Sequence, residues 1–397
     1  MAILVLGGAG YIGSHAARAL RRSGYEVVLY DNLSTGFRRL AQGFELVEGD
    51  IADEARLRPA LARVDAVMHF AAYAYVGESV ENPRKYFRNN VLGALSLLNS
   101  TLDAGVRRII FSSSCAVYGI PERIPIAEQA PREPVNPYGA SKLFFENALD
   151  AYSRAYGLRS VRLRYFNAAG ADESGEIGEL HDPETHLIPL ALAASTANRA
   201  ELQIHGSDYP TPDGTCVRDY IHVSDLADAH VRALQYLERD GDEHGGDALA
   251  INLGTGRGHS VLEVLQAAES ATGRPVRRTI GPRRPGDPPV LVADPAMAQR
   301  VLGWTAQRDL TDIVASAWAW MQKDSFGSRT QSVRSFPYSR GSVFVAGSLL
   351  GQDQLDFDPA NGGECDSRKE RMSGPDSVGQ TKIPEHDARN GRNQEGD

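Results

Sequence analysis

Short apolar runs alternate with longer amphipathic stretches through the first half of the chain. The runs are rich in β-branched residues, which predicts buried strands. These strands are Ala2–Leu6, Glu26–Tyr30, Phe44–Val47, Ala66–Phe70, Arg108–Ser112 and Ser160–Arg164. The stretches with the length and spacing of helices are Ile12–Arg22, Glu54–Ala62, Pro83–Ala104 and Pro137–Tyr156. The repeated strand–helix–strand order predicts a doubly wound α/β fold, in which helices cover both faces of a parallel sheet.

The pattern changes after about residue 168, where a loop rich in Gly and Asp leads into shorter strands and helices. We therefore predict a larger domain over residues 1–167, completed by segments that return to its sheet, and a smaller lobe over residues 168–323. Residues 324–397 are rich in Ser, Gly, Asp, Arg and Gln and have few apolar positions at any period. That composition is typical of a disordered tail.

The 397 residues are 42% hydrophobic and carry a formal charge of −9, which is typical of a globular protein without a cationic surface for nucleic acid. The apolar run Val343–Leu350 is too short to span a bilayer, and the N-terminal run leads into a glycine motif rather than a cleavage site. Three widely separated cysteines, Cys115, Cys216 and Cys365, predict neither a disulfide framework nor a zinc knuckle. We expect a cytoplasmic protein.

A glycine-rich turn, Gly7-Gly8-Ala9-Gly10-Tyr11-Ile12-Gly13, follows the first strand and opens the first helix. Its glycines allow a close backbone approach, so a pyrophosphate can bind the free N–H groups of the helix N-terminus. Asp31 follows the second strand, where a carboxylate can bind both hydroxyls of an adenosine ribose and repels a 2′-phosphate. The pattern favours NAD over NADP. For Asp50, two interpretations stay open: it caps the helix that begins near Asp53, or it faces the adenine.

Tyr138 and Lys142 form the most informative pair, in the sequence Tyr138-Gly139-Ala140-Ser141-Lys142. At positions i and i+4 of a helix, the phenol and the ammonium lie on one face. A lysine cation stabilises a phenolate, so we expect the Tyr138 pKa to move from about 10 toward neutral pH, where the phenolate is a base. Ser114, near the end of an earlier strand, can bind the same substrate oxygen. The three side chains predict a proton-transfer site.

Matching stretches spread over residues 1 to about 322 and together point to one family. They are Gly7–Gly13, Asp31–Ser34, His69–Ala72, Val76–Ser79, Asn89–Val91, Tyr138–Lys142, Tyr165–Asn167, Val217–Val223 and Arg283–Asp287. With them the chain resembles the extended short-chain dehydrogenases/reductases, and among these the nucleotide-sugar 4-epimerases. The most characteristic part is Asp213-Gly214-Thr215 with the segment from Val217 to Val223. The resemblance implies a Rossmann-type NAD-binding domain, a C-terminal substrate-binding lobe and a homodimer paired through helices.

The resemblance also implies a role for each matching position. Tyr138 would be the base for the sugar 4-hydroxyl, Lys142 its activator and a contact of the nicotinamide ribose, and Ser114 an aid to proton movement. The implied NAD contacts are Gly7, Gly10, Tyr11, Ile12, Gly13, Asp31, Asn32, Asp50, Ile51, Phe70, Ala71, Ala72, Asn90, Ser112, Tyr138, Lys142 and Tyr165. The implied contacts of the UDP-sugar are Ser114, Tyr138, Asn167, Leu187, His205, Arg218, Arg284 and Asp287.

The chemistry that the resemblance implies is the interconversion of UDP-glucose and UDP-galactose. Hydride would pass from C4 to NAD⁺, and the 4-keto sugar would turn over within the site and take the hydride back on its other face. Two positions depart from the pattern of some relatives. Ala74 stands where a lysine meets the cofactor phosphates, and Leu291 stands where a large aromatic narrows the sugar pocket. An N-acetylated sugar could therefore fit.

Other readings stay open beside this one. A 4-epimerase of UDP-N-acetylglucosamine, a UDP-pentose or a UDP-uronate would share every motif named above. A nucleotide-sugar dehydratase is disfavoured, because the residues after Ser114 are Cys115-Ala116-Val117 and include no carboxylate for water elimination. A non-catalytic nucleotide-binding module is also disfavoured, because the chain retains Ser114, Tyr138 and Lys142 together.

Four residues between the predicted strands and the helix from residue 186 have the side chains of metal ligands. They are His181, Asp182, Glu184 and His186. They lie in a loop without a fixed helical or hairpin spacing, so we predict no metal there.

Overall fold

The computed structural model describes residues 1–196, 201–239, 248–284 and 287–327. Up to residue 165 the elements are β1 (Ala2–Leu6), α1 (Tyr11–Arg22), β2 (Glu26–Asp31), β3 (Glu45–Glu48), α2 (Glu54–Leu61), β4 (Ala66–His69), α3 (Val76–Glu81), α4 (Pro83–Tyr86), α5 (Ala94–Asp103), β5 (Arg108–Ser114), α6 (Pro137–Tyr156) and β6 (Arg159–Tyr165). The strands and the helices α1, α2 and α6 match the predicted ones to within a few residues, whereas α3 was not predicted.

The second half contains shorter elements. These are β7 (Asn167–Ala169), α7 (Leu187–Ala194), β8 (Leu202–His205), β9 (Val217–His222), α8 (Val223–Glu238), β10 (Ala248–Leu253), β11 (Gly258–Ser260), α9 (Val261–Thr272), β12 (Arg278–Gly281), β13 (Val290–Leu291), α10 (Ala296–Leu302) and α11 (Leu310–Gly327). Helix α11 continues into the first four positions of the predicted tail, and the remainder of 324–397 lies outside the described residues. None of the described helices combines the length and the apolar character that crossing a bilayer requires.

A seven-stranded parallel sheet organises the fold, with the strand order β10-β6-β5-β4-β1-β2-β3. The doubly wound fold predicted from the sequence is therefore confirmed. The strand order reverses between β1 and β4, so the loops that follow these two strands diverge and leave a crevice at the carboxyl edge. Strand β10 is the segment that returns from the second half to complete this sheet.

Strand β1 explains why the predicted strands read as continuous apolar runs. Ile3 and Val5 pack on one face of the sheet in the same cluster as residues of α1 and α8, whereas Leu4 and Leu6 pack on the other face with α2, α5 and α6. All four side chains are fully buried. Both faces of a parallel sheet are covered by helices, so polar alternation is absent.

The predicted helix Pro83–Ala104 is interrupted. A π-helical stretch over Phe87–Gly93 separates α4 from α5. Within it, the buried Asn90 side chain bonds to the backbone of Tyr73 and to Ser141 rather than to solvent. A π-turn of this kind often marks a functional position, and here it lies against the helix that carries Tyr138.

Two small sheets form beside the large one. Strands β7, β9, β11 and β13 make a four-stranded sheet, and β8 pairs with β12 in parallel. Strand β7 begins two residues after β6 ends, so the end of the large sheet leads directly into the smaller one. Side chains of both sheets can therefore reach the crevice at the carboxyl edge.

Candidate active site

The turn between β1 and α1 is possible only with glycine. Gly7 has a φ of +76°, and a Cβ on it would lie 2.7 Å from the backbone nitrogen of Ala71. A Cβ on Gly13 would lie 2.2 Å from the Gly7 carbonyl oxygen. The turn thus packs directly on helix α1 and on the segment from Phe70 to Ala72, the loop that follows the neighbouring strand β4. Predicted cofactor contacts from two separate motifs meet here.

No side chain caps the N-terminus of helix α1, so its first backbone N–H groups are free to bind a ligand. Gly10 is its N-cap residue and supplies no side-chain hydrogen bond. The first-turn N–H groups of Tyr11, Ile12 and Gly13 have no acceptor within the helix, and the helix dipole adds partial positive charge. The arrangement fits an anionic diphosphate.

Asp31 ends β2 and is buried. Its carboxylate accepts hydrogen bonds from the backbone N–H groups of Ala9 at 2.9 Å and of Leu33 at 2.8 Å. Burial raises the pKa of Asp31, and the two amide bonds oppose that rise. Each oxygen keeps a second lone pair, so the fixed carboxylate can accept both hydroxyls of a ribose.

Asp50 lies beside Asn32 at the neighbouring strand end. Its Oδ2 accepts a hydrogen bond from Asn32 Nδ2 at 2.8 Å, and its Oδ1 accepts from the Ala52 N–H at 2.9 Å. The cap of α2 is Asp53, whose side chain accepts from the Arg56 N–H. The interpretation of Asp50 as that cap is therefore wrong: it sits one turn too early in the chain to reach the free amides of α2.

Together these groups fit a dinucleotide. The glycine turn and the uncapped N-terminus of α1 suit the diphosphate, and Asp31 suits the ribose. Asn32, next to Asp31, is hydrogen-bonded to Asp50, and Ile51 beside it is buried. No substitution for glycine at position 7 or 13 would leave this cradle intact.

Helix α6 begins at a point that delivers Tyr138 to the sheet edge. The Asn136 side chain caps it by accepting from the Gly139 N–H at 2.8 Å, and Pro137 occupies the first helical position, which needs no donor. Tyr138 then lies in the first turn, where its phenol is near enough to the Ser114 hydroxyl for that hydroxyl to lower its pKa. Ser114 is the last residue of β5, so the structure joins the predicted base to the predicted serine.

Lys142 lies one turn after Tyr138 and is almost fully buried. Its ammonium donates a 2.7 Å hydrogen bond to the carbonyl of Ser112 and lies 5.8 Å from the centre of the Tyr138 ring. It also lies 4.9 Å from the centre of the Phe111 ring. The lysine thus shares the site with the phenol but bonds to the strand beneath it.

The pKa of Tyr138 differs from the sequence expectation. Burial raises it to about 12, although the hydrogen bond with Ser114 lowers it. Burial also lowers the pKa of Lys142 to about 7, against the influence of Glu146, which raises it. Burial penalises each charge on its own, so the phenolate is favoured only together with a cation close to it.

The remaining predicted cofactor contacts have defined partners within the protein. Asn90 uses its amide to bond Tyr73 and Ser141, so it holds the loop after β4 against helix α6. Ser112 and Tyr165 lie at adjacent strand ends and share a short hydrogen bond between their hydroxyl groups. These contacts fix the positions of all three side chains.

The predicted substrate contacts gather on the smaller sheets. Arg218 near the start of β9 pairs with Asp287. Burial opposes its charge, but Asp287, together with Cys216 and Tyr220, raises the pKa of Arg218 above its ordinary value. Asn167 on the adjacent strand donates to the carbonyl of Asp219 at 3.2 Å. Charge on Arg218 also lowers the pKa of the Cys115 thiol, next to Ser114, although burial raises that pKa to about 12. Arg218 is therefore within electrostatic reach of the catalytic end.

The other three predicted substrate residues lie around this group. Leu187 begins α7 and packs against the cluster that contains Tyr220 of β9. His205 ends β8, where burial and the charge of Arg284 both lower its pKa. Arg284 is exposed and makes no ion pair with any residue that the structure describes. Its guanidinium is available to an anion.

Several residues that shape the site were not singled out from the sequence. Glu146, fully buried on α6, accepts from Arg164 and Ser113 directly beneath Lys142. Asp219, also fully buried, accepts from the backbone of Thr255, Gly256 and Ala293 and so ties β9 to two loops. The signal that could have found Glu146 is its position four residues after Lys142 on the same face.

Comparison with known proteins agrees with this geometry. Residues 3–254 match the model of the NAD dependent epimerase/dehydratase family. A UDP-glucose 4-epimerase of Rhizobium meliloti is 51% identical over 82% of this chain and 98% of its own length. The crystal structure of UDP-glucose 4-epimerase from Brucella ovis in complex with NAD is 53% identical, with a TM-score of 0.76 over 80% of this chain and 97% of that one.

A second solved structure carries a nucleotide as well. UDP-glucose 4-epimerase from Bifidobacterium longum in complex with NAD⁺ and UDP is 41% identical, with a TM-score of 0.77 over 82% of this chain and 100% of that one. The family match covers more than half of the chain, and these relatives align over nearly their full length. The chain therefore belongs to the NAD dependent epimerase/dehydratase family.

Proposed function

We propose that this chain is an NAD-dependent UDP-glucose 4-epimerase, which interconverts UDP-glucose and UDP-galactose by transient oxidation at C4. The observation that carries the proposal is the cluster of Ser114 at the end of β5 with Tyr138 and Lys142, one turn apart on α6, at the same sheet edge as the glycine turn. Relatives of that name, two of them solved with NAD or with NAD⁺ and UDP, support it.

Tyr138 takes the proton from the 4-hydroxyl of the sugar in this mechanism. When bound, NAD would supply the hydride acceptor for C4 and positive charge beside the phenol. The Ser114 hydroxyl lowers the pKa of the phenol. The Lys142 ammonium lies 5.8 Å from the centre of the Tyr138 ring, and a nearby cation favours the phenolate. Return of the proton by Tyr138 to the same oxygen completes the cycle, so one side chain acts as base and then as acid.

The division of roles follows the two sets of sheets. Residues 1–167 with the returning strand β10 would hold NAD through the glycine turn, Asp31, Asn32, Asp50 and the loop after β4. Residues 168–323 would hold the UDP-sugar, with Arg218 and Arg284 facing the diphosphate because guanidinium groups bind phosphate oxygens in pairs. Asn167, Leu187, His205 and Asp287 would complete that pocket.

An assay of the purified full chain with UDP-galactose tests the proposal. We expect UDP-glucose to accumulate to equilibrium, and denaturation of the protein to release NAD. Formation of a 4-keto-6-deoxy sugar would contradict epimerisation in favour of dehydration. Release of NAD without conversion of any UDP-sugar would support a non-catalytic binding module instead.

Sugar preference is the finer question. Leu291 lies on β13 directly opposite Arg218 of β9, so its side chain belongs to the strand pair that carries the substrate arginine. A leucine occupies less space than the large aromatic of some relatives, which favours acceptance of an N-acetyl group. We therefore expect turnover of UDP-N-acetylglucosamine as well. Substitution Leu291→Tyr should reduce turnover of UDP-N-acetylglucosamine more than turnover of UDP-glucose, and equal losses would contradict this role.

We also propose a homodimer formed by α3 to α6. Large apolar side chains are exposed along these helices and the π-helical stretch between them, including Val80 at 62%, Leu92 at 65% and Phe144 at 45%. Exposed apolar groups of this size on helices that contact one another are typical of a protein interface. Light scattering of the wild type should give twice the chain mass, and Leu92→Asp should shift it toward one. We also propose a cytoplasmic location. Cys115 and Cys216 are free thiols, which is typical of proteins in a reducing compartment.

A further inference from the structure

The loop between β7 and α7 brings four side chains together that are spread over eight positions of the sequence. His181 Nδ1 lies 3.4 Å from a Glu179 oxygen and 3.5 Å from a Glu184 oxygen. His186 Nδ1 lies 3.0 Å from Glu179 and 2.9 Å from Glu184. One donor atom from each residue lies within 4.8 Å of all the others. We call these four residues the loop quartet.

Glu179 is the buried member of the loop quartet. Its side chain is only 4% exposed, and neither of its carboxylate oxygens has an aligned hydrogen-bond donor. The Nδ1 atom of His181 likewise lacks an aligned partner. The two imidazoles approach Glu179 within ion-pair distance but not in hydrogen-bond alignment. A buried carboxylate in this condition is costly unless a cation compensates it.

Neighbouring groups hold the backbone of Glu179 and the carboxylate of Glu184 in place. Trp320 donates from Nε1 to the Glu179 carbonyl at 3.1 Å, and Gly178 lies flat against the same indole. The Glu184 carboxylate accepts from the backbone N–H groups of Thr185 and His186, both at 2.8 Å. Outer contacts of this kind orient metal ligands before the metal binds.

We propose that Glu179, His181, Glu184 and His186 bind one divalent transition-metal ion of the Zn²⁺ class. Two imidazole nitrogens and two carboxylate oxygens are donors that suit Zn²⁺, whereas Mg²⁺ and Ca²⁺ prefer oxygen donors alone. Tetrahedral donors about 2.0–2.1 Å from Zn²⁺ lie about 3.3 Å from one another. The four His–Glu distances in the loop quartet span 2.9 to 3.5 Å, and all the separations among the four donors are within 4.8 Å. Two carboxylates also match the charge of one divalent cation.

The site would fasten the loop to the cofactor edge of the large sheet. The Tyr11 ring meets His181 edge-on at 6.0 Å, and its hydroxyl donates to the Gly170 carbonyl. The Tyr75 ring packs against both histidines, and its hydroxyl donates to the Pro183 carbonyl. A metal in the loop quartet would therefore stabilise the loop at both ends. Binding of a metal ion by the loop quartet would not depend on the proposed sugar chemistry.

Metal binding by the full, tag-free chain tests the inference directly. After dialysis against a chelator, titration with ZnCl₂ should show one tight equivalent per chain and a raised unfolding temperature, because an ion that binds only the folded state stabilises it. Mg²⁺ at a large excess should not displace it. Titration with Co²⁺ should give the intense visible absorption of a four-coordinate site. A weak six-coordinate spectrum, or the lack of a stoichiometric equivalent, would overturn the proposal.

Two variants separate the loop quartet from other binding places. The double substitution Glu179→Gln with His181→Gln should weaken the Zn²⁺ equivalent by at least about 100-fold, the scale on which even outer ligand contacts act. His259→Gln is the matched control, because His259 also lies beside a glutamate, Glu263, at 3.8 Å but has no second such pair. Retained Zn²⁺ binding in the double variant would show that the ion binds elsewhere and that the loop quartet consists only of His–Glu ion pairs. Circular dichroism and NAD binding confirm that the variant is folded.

Discussion

Two buried ionisable side chains, Lys142 and Glu146, lie one turn apart on helix α6, and the charged form is favoured in only one of them. Glu146 accepts hydrogen bonds from Arg164 and Ser113, and these partners outweigh burial and lower its pKa. Lys142 has a carbonyl as its hydrogen-bond partner, and burial lowers its pKa to about 7. The same helix face thus contains an ionised, satisfied pair and an ammonium that is poised to lose its charge.

The comparison shows that burial of charge is compensated at Glu146 and is not fully compensated at Lys142. A buried charge with a full set of partners is inert, whereas one with few partners is reactive. Glu146 also raises the pKa of Lys142, so the inert pair supports the reactive group from beneath. The following substitutions separate the two parts, because loss of a reactive group should lower turnover and loss of a structural group should lower stability.

Tyr138→Phe should have the largest effect. The ring is retained but the phenol is lost, so no side chain takes the proton from the 4-hydroxyl. Turnover should fall by about 10⁴-fold, the upper range for removal of a general base. Steady-state assay with UDP-galactose measures the loss, and the NAD content after denaturation should be unchanged. Activity within tenfold of the wild type would remove Tyr138 from the mechanism.

Glu146→Gln should have the next largest effect, and on stability. The substitution leaves the Arg164 guanidinium buried, with its side chain 3% exposed, and without its counter-charge. The free energy of unfolding should fall by about 3–5 kcal/mol, as for other broken buried pairs. Urea denaturation measures it. Glu54→Gln, which breaks the exposed pair with Arg58, is the control and should cost less than about 1 kcal/mol. Equal losses in the two variants would contradict the comparison.

Lys142→Met should lower turnover without lowering stability, in contrast to Glu146→Gln. Turnover should fall by about 10²-fold because the phenolate loses its cation. The free energy of unfolding should be maintained or raised, since a penalised ammonium is replaced by an apolar chain of similar length. A fall in stability as large as that of Glu146→Gln would show that Lys142 is structural.

The pH dependence of stability gives the same lysine a second test. Its pKa is about 7 in the folded chain, against 10.5 as the ordinary value, so the unfolded chain binds more protons between these two pH values. Stability contributed by this position therefore rises with pH across that window. The advantage of Lys142→Met over the wild type should be greatest below pH 7 and should vanish near pH 10.5. A constant difference would contradict the lowered pKa.

Ser114→Ala should have the smallest effect of the series. It removes the hydroxyl that lowers the pKa of the Tyr138 phenol. Loss of one hydrogen-bonding group costs about 0.5–1.5 kcal/mol, so turnover should fall by about tenfold or less. The pH profile of turnover should shift to higher pH, because this hydroxyl lowers the Tyr138 pKa. An unchanged profile would mean that Ser114 contacts only the substrate.

The sequence was informative wherever a function depends on local spacing. The glycine turn, Asp31 at a strand end, and Tyr138 with Lys142 four residues later are all set by the period of one strand or one helix. The sheet followed from the same periodicity, because a parallel strand buried on both faces reads as one apolar run. The limits of α6 were predictable as well, since Pro137 and Gly157 begin and end it.

What the sequence did not reveal depends on contacts between distant segments. Arg164 reads as a strand residue, and only the fold shows that it neutralises Glu146. Asp219 bonds to backbone 36 to 74 residues away. The expected fall in the Tyr138 pKa was also wrong in direction, because spacing gives the nearness of Lys142 but not the extent of burial. The sequence also did not reveal that Glu179, rather than Asp182, lies beside His181, Glu184 and His186, because the path of this loop is set by its contacts with distant residues.

The most direct test of the proposed function follows an isotope at the reacting carbon. The purified chain is incubated with UDP-glucose carrying deuterium at C4, and the UDP-galactose formed is analysed by mass spectrometry. Epimerisation by transient oxidation at C4 predicts full retention of deuterium there, because the hydride that is removed is returned within one enclosed site. Loss of the label to solvent, or the absence of UDP-galactose, would contradict it.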